Sequence, residues 1–251
     1  MSVRNFSMTM HSPERTLEDS TQYAVKFSTM LFDYDVSLSY FYGRDDLPLP
    51  NMVIITPGDI QGIVDLASEL IYPRIQVIGA DFAGSIGSVG LWGEAAFFLP
   101  EKVEMATMIQ TPTGLLPQSK SVALDDEPYL KYVVGMDYTF HNGWYLNMQF
   151  LHGFFHERGQ KELNDYLVGR IEKKLWNDEV KMIPFGVAIG ITDWDDMTNN
   201  YTFVGNPELS YYPADNIELT IGAFIIEGKG NNMFTTIKEK DEFYVKVKVS
   251  F

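Results

Sequence analysis

The last ten residues, EFYVKVKVSF, alternate strictly between two kinds of side chain. Phe243, Val245, Val247, Val249 and Phe251 fall on one side, and Tyr244, Lys246, Lys248 and Ser250 on the other. A period of two is the period of a β-strand, where successive Cβ atoms point to opposite faces. The pattern recurs upstream in IELTIGAFII, YLKYVVGMDYTF, WYLNMQF, IPFGVAIGIT and DYDVSLSYFYG. In each, one face is apolar and the other is mostly small or polar. A soluble sandwich usually carries charge on its exposed face, so small polar residues fit a water-filled lumen better. The expected fold is all-β: an antiparallel transmembrane β-barrel forming a single domain over 1–251.

Composition supports this reading mainly by exclusion. The formal net charge is -15, which argues against nucleic acid, because a phosphate-binding surface needs a basic stripe. With no cysteine, disulfides, thiolate metal sites and Cys nucleophiles are ruled out. No apolar run reaches the roughly 18–20 residues of a membrane-spanning helix, and a barrel needs none. Tyr 14 and Phe 17 are many, and tyrosine suits sites where one end of a side chain is wet. The opening MSVRNFSMTMHSPERTLEDS lacks the apolar core of a signal peptide, although a barrel must be exported.

Connection lengths give the topology. Eleven strands are expected near 21–31, 34–43, 73–82, 89–99, 129–140, 144–155, 165–176, 180–192, 201–212, 216–227 and 242–251. Residues 165–176 also carry leucines at helical spacing. Read as a strand, they put every short turn on one side and every long connection on the other. The short turns are Phe32-Asp33, 83–88, His141-Asn142-Gly143, Asn177-Asp178 and 213–216. The long connections, 44–72, 100–128, HERGQKEL, DWDDMTNN and GKGNNMFTTIKEK, would be external loops. An even, closed barrel needs one more upward strand. Either residues 2–10 supply it, giving twelve strands, or strands lie upstream of Met1; the second reading is preferred.

No catalytic constellation stands out, and the expectation is a non-enzyme without cofactor or metal. His152 and His156 would lie about 13 Å apart on a strand, too far to share a metal. GSIGSVG joins two strands without the helix that a phosphate cradle requires. Asp193, Asp195 and Asp196 lack the Gly and Glu of a calcium loop and read as a solvated acidic loop. The candidate functional residues are therefore the charges that alternation aims at the lumen. These are Lys26, Asp35, Asp81, Glu94, Lys131, Asp137, Lys181, Glu208, Glu218, Lys246 and Lys248.

With the strands placed, three phrases carry a family texture: IGADFAGSIGSVGLWGEAAFF, PYLKYVVGMDYTFHNGWYLNMQFLHGFF and the terminal VKVSF. They resemble the outer-membrane porin-like proteins of Gram-negative bacteria related to alginate-export porins. The resemblance covers residues 13–251. It implies a wide barrel in the cell outer membrane, a signal peptide and further strands upstream. The terminal row Phe243, Val245, Val247, Val249 and Phe251 resembles the signal by which the barrel-assembly machinery recognises its clients. The expected partners are thus outer-membrane lipid, that machinery, and small hydrophilic solutes or ions passing through a channel. A structural or partner-holding barrel is the alternative, and an outer-membrane hydrolase a third possibility.

Overall fold

The computed structural model describes residues 2–230, 232 and 234–250. The chain is all-β, built as two sheets. The large sheet is an up-and-down meander whose paired neighbours all run antiparallel. It runs from β2 (Tyr23–Leu31) and β3 (Tyr34–Arg44) to β6 (Arg74–Ile86), β7 (Val89–Pro100), β10 (Tyr129–Thr139) and β11 (Trp144–His152). It continues through β12 (Asp165–Leu175), β13 (Val180–Ile191), β14 (Tyr201–Gly205), β15 (Glu208–Ala214) and β16 (Ile217–Lys229) to β17 (Glu242–Val249), with β14 and β15 sharing one place between β13 and β16. The segment with leucines at helical spacing is therefore strand β12.

Tight turns join the strands at one end of this sheet. Phe32 and Asp33, and Asn177 and Asp178, adopt positive φ, as do Gly87 and Gly143. Asn, Asp and Gly tolerate that region, which the short hairpin turns require, and Phe32 is held in it by the two-residue turn it shares with Asp33.

Three expectations need correction. The strand expected at 201–212 is broken into β14 and β15 around Asn206 and Pro207, and both pieces pair with β13 and β16. Proline has no N–H to give the ladder, so pairing lapses there. Counting the two pieces as one, the sheet has eleven crossings. Next, strict alternation along IPFGVAIGIT puts Ile183 on the apolar face with Phe185. A register irregularity beside it places Ile183 opposite Glu208, almost fully buried.

The third correction concerns two of the long connections. Residues 44–72 and 100–128 are not loops but hairpins: β4 (Leu49–Pro57) with β5 (Ile63–Ile71), and β8 (Val103–Thr111) with β9 (Gly114–Leu124). Together with β1 (Ser2–His11) they form the small sheet, in the order β1-β5-β4-β8-β9. Prolines hid these strands from a pattern reading. Pro50 sits at a register shift, and Pro117 lies on edge strand β9 beside another, positions where a missing donor is tolerated. β1 runs parallel to β5, from Ser2 opposite Ile63 to His11 opposite Ile71, so it is not a twelfth strand of the large sheet. β4, which continues β3, meets β8, which continues β7, so the β4–β5 ribbon turns over as it leaves the large sheet.

The edge strands of the large sheet are β2, paired with β3, and β17, paired with β16. After eleven alternating crossings the two edges run in the same direction.

Candidate functional site

Register decides which side chains share a face of the large sheet. Lys26 lies opposite Ser39, Ser37 opposite Asp81, Asp81 opposite Glu94, and Glu94 opposite Val133. Asp137 lies opposite Asn147, and Asn147 opposite Arg170. Beyond the irregularity in the β12–β13 ladder, Lys174 faces Lys181, Lys181 faces Ser210, Ser210 faces Thr220, and Thr220 faces Lys246. Extended by the period of two, this chain puts all eleven candidate charges on one face, Asp35, Lys131, Glu208, Glu218 and Lys248 included.

That face is cross-linked by polar bonds. Lys26 Nζ lies 2.9 Å from Asp81 Oδ2, which also accepts from Ser37. Tyr145 donates to Asp137 at 3.1 Å. Arg170 pairs with Glu172 at 2.8 Å. Tyr212 and Thr220 each donate to Glu218 at 3.2 Å, and Lys181 lies 4.0 Å from the same carboxylate. Tyr244 donates to Glu208 at 2.5 Å.

The opposite face is apolar and uncovered. Phe243, Val245 and Val247 are 71%, 66% and 62% exposed, and Val25, Phe27, Leu38, Val134, Phe185 and Ile221 are exposed too. Phe251 lies outside the described residues. Aromatic residues cluster at both ends of this band. At the turn end are Tyr34, Tyr138 against Phe140, and Trp144 with Lys173 over its ring. At the other end Tyr23 stacks on Tyr42, and Tyr132 on His152. His152 Nδ1 lies 2.7 Å from Asp165, whose other oxygen accepts from Trp194 Nε1 at 2.5 Å. Tyr34 and Tyr42 are eight residues apart on β3, about 26 Å at ~3.3 Å per residue.

At the long-connection end residues 153–164 fold over the polar face. Arg158 grips Asp45 with two bonds, Nε to Oδ2 at 2.5 Å and Nη2 to Oδ1 at 2.8 Å. Asp45 is nearly buried, although it lies in a connection rich in exposed carboxylates. Glu157 accepts from Tyr166 at 2.5 Å, from the Asn164 side chain at 2.6 Å, and from the backbone N–H groups of Phe154 and Asn164. Lys131 Nζ donates to the Phe154 carbonyl at 2.7 Å and to that of Glu157. Beneath lies Tyr129, 2% exposed and stacked on Phe98 at 4.8 Å.

Burial pushes the Glu157 carboxyl up, but the hydrogen bonds from Tyr166, Asn164 and Phe154 outweigh it and hold it below its ordinary value. A depressed carboxylate stabilises its fold above the unfolded value, about 4.3 for Glu, and that contribution is lost as pH falls through the depressed value. Amide-exchange protection in 153–164 is therefore expected to stay flat from pH 7 to about 5 and to drop below about 4. Unchanged protection in that acid range would show that Glu157 does not organise the segment.

The pattern reading missed Asp45, Glu157, Arg158 and Tyr166. The glycines that bracket GFFHERG were the available signal. Among the described residues no cluster of three or more His, Cys, Asp or Glu could hold a metal ion. Among the described residues no helix is long and apolar enough to cross a membrane, which has no bearing on a crossing by strands. Comparison with known proteins finds no family model and no curated protein that matches this sequence.

Proposed function

We propose that the large sheet is membrane-spanning wall of an outer-membrane, porin-like channel for small hydrophilic solutes or ions. One observation carries the reading: the sheet has one exposed apolar face banded by aromatic residues and one face cross-linked by polar bonds. Burying that apolar face in lipid removes it from water at about 25 cal/mol per Å². Aromatic residues at both rims fit the headgroup zones, and the span between them on β3 matches an apolar band about 25 Å tall. The polar face then lines the water path and lowers the cost of moving a hydrated solute through hydrocarbon.

The small sheet and the long connections lie at the end opposite the tight turns. In outer-membrane barrels that end is the external one, and the tight turns are periplasmic. Kinship with the alginate-export porins belongs to this proposal and rests on the sequence texture alone.

A second reading, a barrel that holds a partner without conducting, draws on the small sheet. Its edge strands expose Phe6, Met8 and Met10 on β1 and Leu116 and Val122 on β9. Conductance of the purified chain in planar bilayers separates the two. Stepwise currents are expected for the channel, and a silent but correctly inserted protein would favour the partner-holding barrel.

A further inference from the structure

We propose that residues 154–158 form a hinged flap that gates the path along the polar face, with Arg158 and Asp45 as its latch. The inference rests on reading the polar face as a channel wall. Four observations support it.

The segment has hinges. Gly153 and Gly159 flank it, both at φ 83. Side chains rarely adopt that conformation, and glycine does so without strain. At Gly153 there is also no room for more, because an added Cβ would lie 2.8 Å from Lys131 Cγ.

The segment is not a strand. It lies between β11 and β12 and belongs to neither sheet. Its backbone bonds are local, such as Glu157 N–H to Phe154 O at 3.1 Å. Segments held by few backbone bonds open more easily than the ladders around them.

It lies over the polar face. Phe155 and Arg158 from the flap, and Phe41, Val77, Phe98 and Lys131 from the sheet, line one cavity of about 240 Å³. A second cavity of about 410 Å³ continues along that face, past Lys131 and Phe98 to Asp81 and Glu94. The flap is the roof at one end of a run of polar wall.

Its anchors are of three kinds: Lys131 on β10 donates to the Phe154 and Glu157 carbonyls, which a flexible four-carbon side chain can follow over a short swing. Glu157 is tied to Asn164 and Tyr166, which belong to the segment's own root. Arg158 reaches Asp45, at the far end of β3 and 113 positions away in sequence. Asp45 is itself fixed, accepting from Leu47 N–H and donating its own N–H to Pro73 O at 2.9 Å. Releasing Glu157 would unravel the flap, whereas releasing Arg158 would leave it folded and held to the sheet only by the flexible Lys131 side chain. An arginine fork on a carboxylate is also directional, so the latch sets one resting position.

The test uses the full chain in planar bilayers. The sequence has no cysteine, so Asp45→Cys with Arg158→Cys gives a unique pair. A reducible bifunctional thiosulfonate about as long as the lost ion pair bridges them. The bridged protein is expected to sit in a low-conductance state and to recover on reduction. Arg158→Ala is expected to shift the closed-to-open balance toward open, roughly a hundredfold for a buried pair. The exchanged variant Asp45→Arg with Arg158→Asp should return toward the parent. If the parent conducts and bridging changes nothing, the flap is not a gate and the channel stands. If neither the parent nor any variant conducts, the channel reading falls and takes the gate with it.

Discussion

Replacing Val134 with arginine is expected to abolish stable insertion, whereas Gln149→Arg is expected to be tolerated. Both positions lie on neighbouring strands of the large sheet, Val134 on β10 and Gln149 on β11. Val134 stands on the uncovered apolar face, opposite Gly93 and Phe150. Gln149 stands on the polar face and donates to Asn147 at 3.2 Å. In lipid, an arginine at mid-bilayer costs about 2–4 kcal/mol, roughly 30- to 700-fold in the folding equilibrium. On the polar face its charge meets water and carboxylates instead. Urea titration of the chain folded into vesicles would read the difference. Equal effects at the two sites, or a chain that folds in plain buffer with its apolar face in water, would defeat the membrane reading.

The second large effect concerns ion preference. Among the lysines of the polar face, Lys26 is neutralised by Asp81 and Lys181 lies beside Glu218. Lys131 is turned toward carbonyls of the flap. Lys246 and Lys248 lie at the sheet's last strand, opposite Thr220 and Glu218, and Glu218 already serves Lys181. These two are therefore the least compensated positive charges on the wall. At the other end the connections carry Asp46, Asp125, Asp126, Glu127, Asp193, Asp195 and Asp196. An acidic mouth concentrates cations, over a screening length of only ~8–10 Å near physiological salt. The expected parent is mildly cation-preferring at low salt, and less so as salt rises. Lys246→Glu with Lys248→Glu removes two positive charges and adds two negative ones, so the preference should rise markedly. Reversal potentials across a salt gradient measure it. Firm anion selectivity that survives the double change would refute the assignment of this face to the solute path.

How much of this was readable without coordinates differs by level. The segment 165–176 is instructive, because its leucines fit a helix as well as a strand. Connection lengths, not local propensity, made it β12, since a helix there would have left a long connection on the tight-turn side. At Ile183 local alternation failed. A single irregularity in the pairing moved one residue to the other face, which is what a one-residue slip does in a strand. The hairpins at 44–72 and 100–128 failed for a different reason. Their prolines read as loop signals, and the ladders tolerate them at a register shift and on an edge strand.

The candidate charges divide in the same way. Alternation alone places Lys246 and Lys248 together, because side-chain period along one strand is a local property. It places Val245 and Val247 opposite them for the same reason. Register along neighbouring hairpins then extends each face from strand to strand. Nothing local joins Asp45 to Arg158, or Glu157 to a tyrosine nine positions on whose hydroxyl points back at it. Those contacts exist because the connection from β11 to β12 folds back over the polar face as far as the end of β3, and because a buried carboxylate must find donors. Period and connection length are written into consecutive residues, so the large sheet and its two faces are legible in the chain. The segment 153–164 over the polar face, the Arg158–Asp45 pair and the small sheet are products of distant segments meeting, and they appear only when the strands are in place.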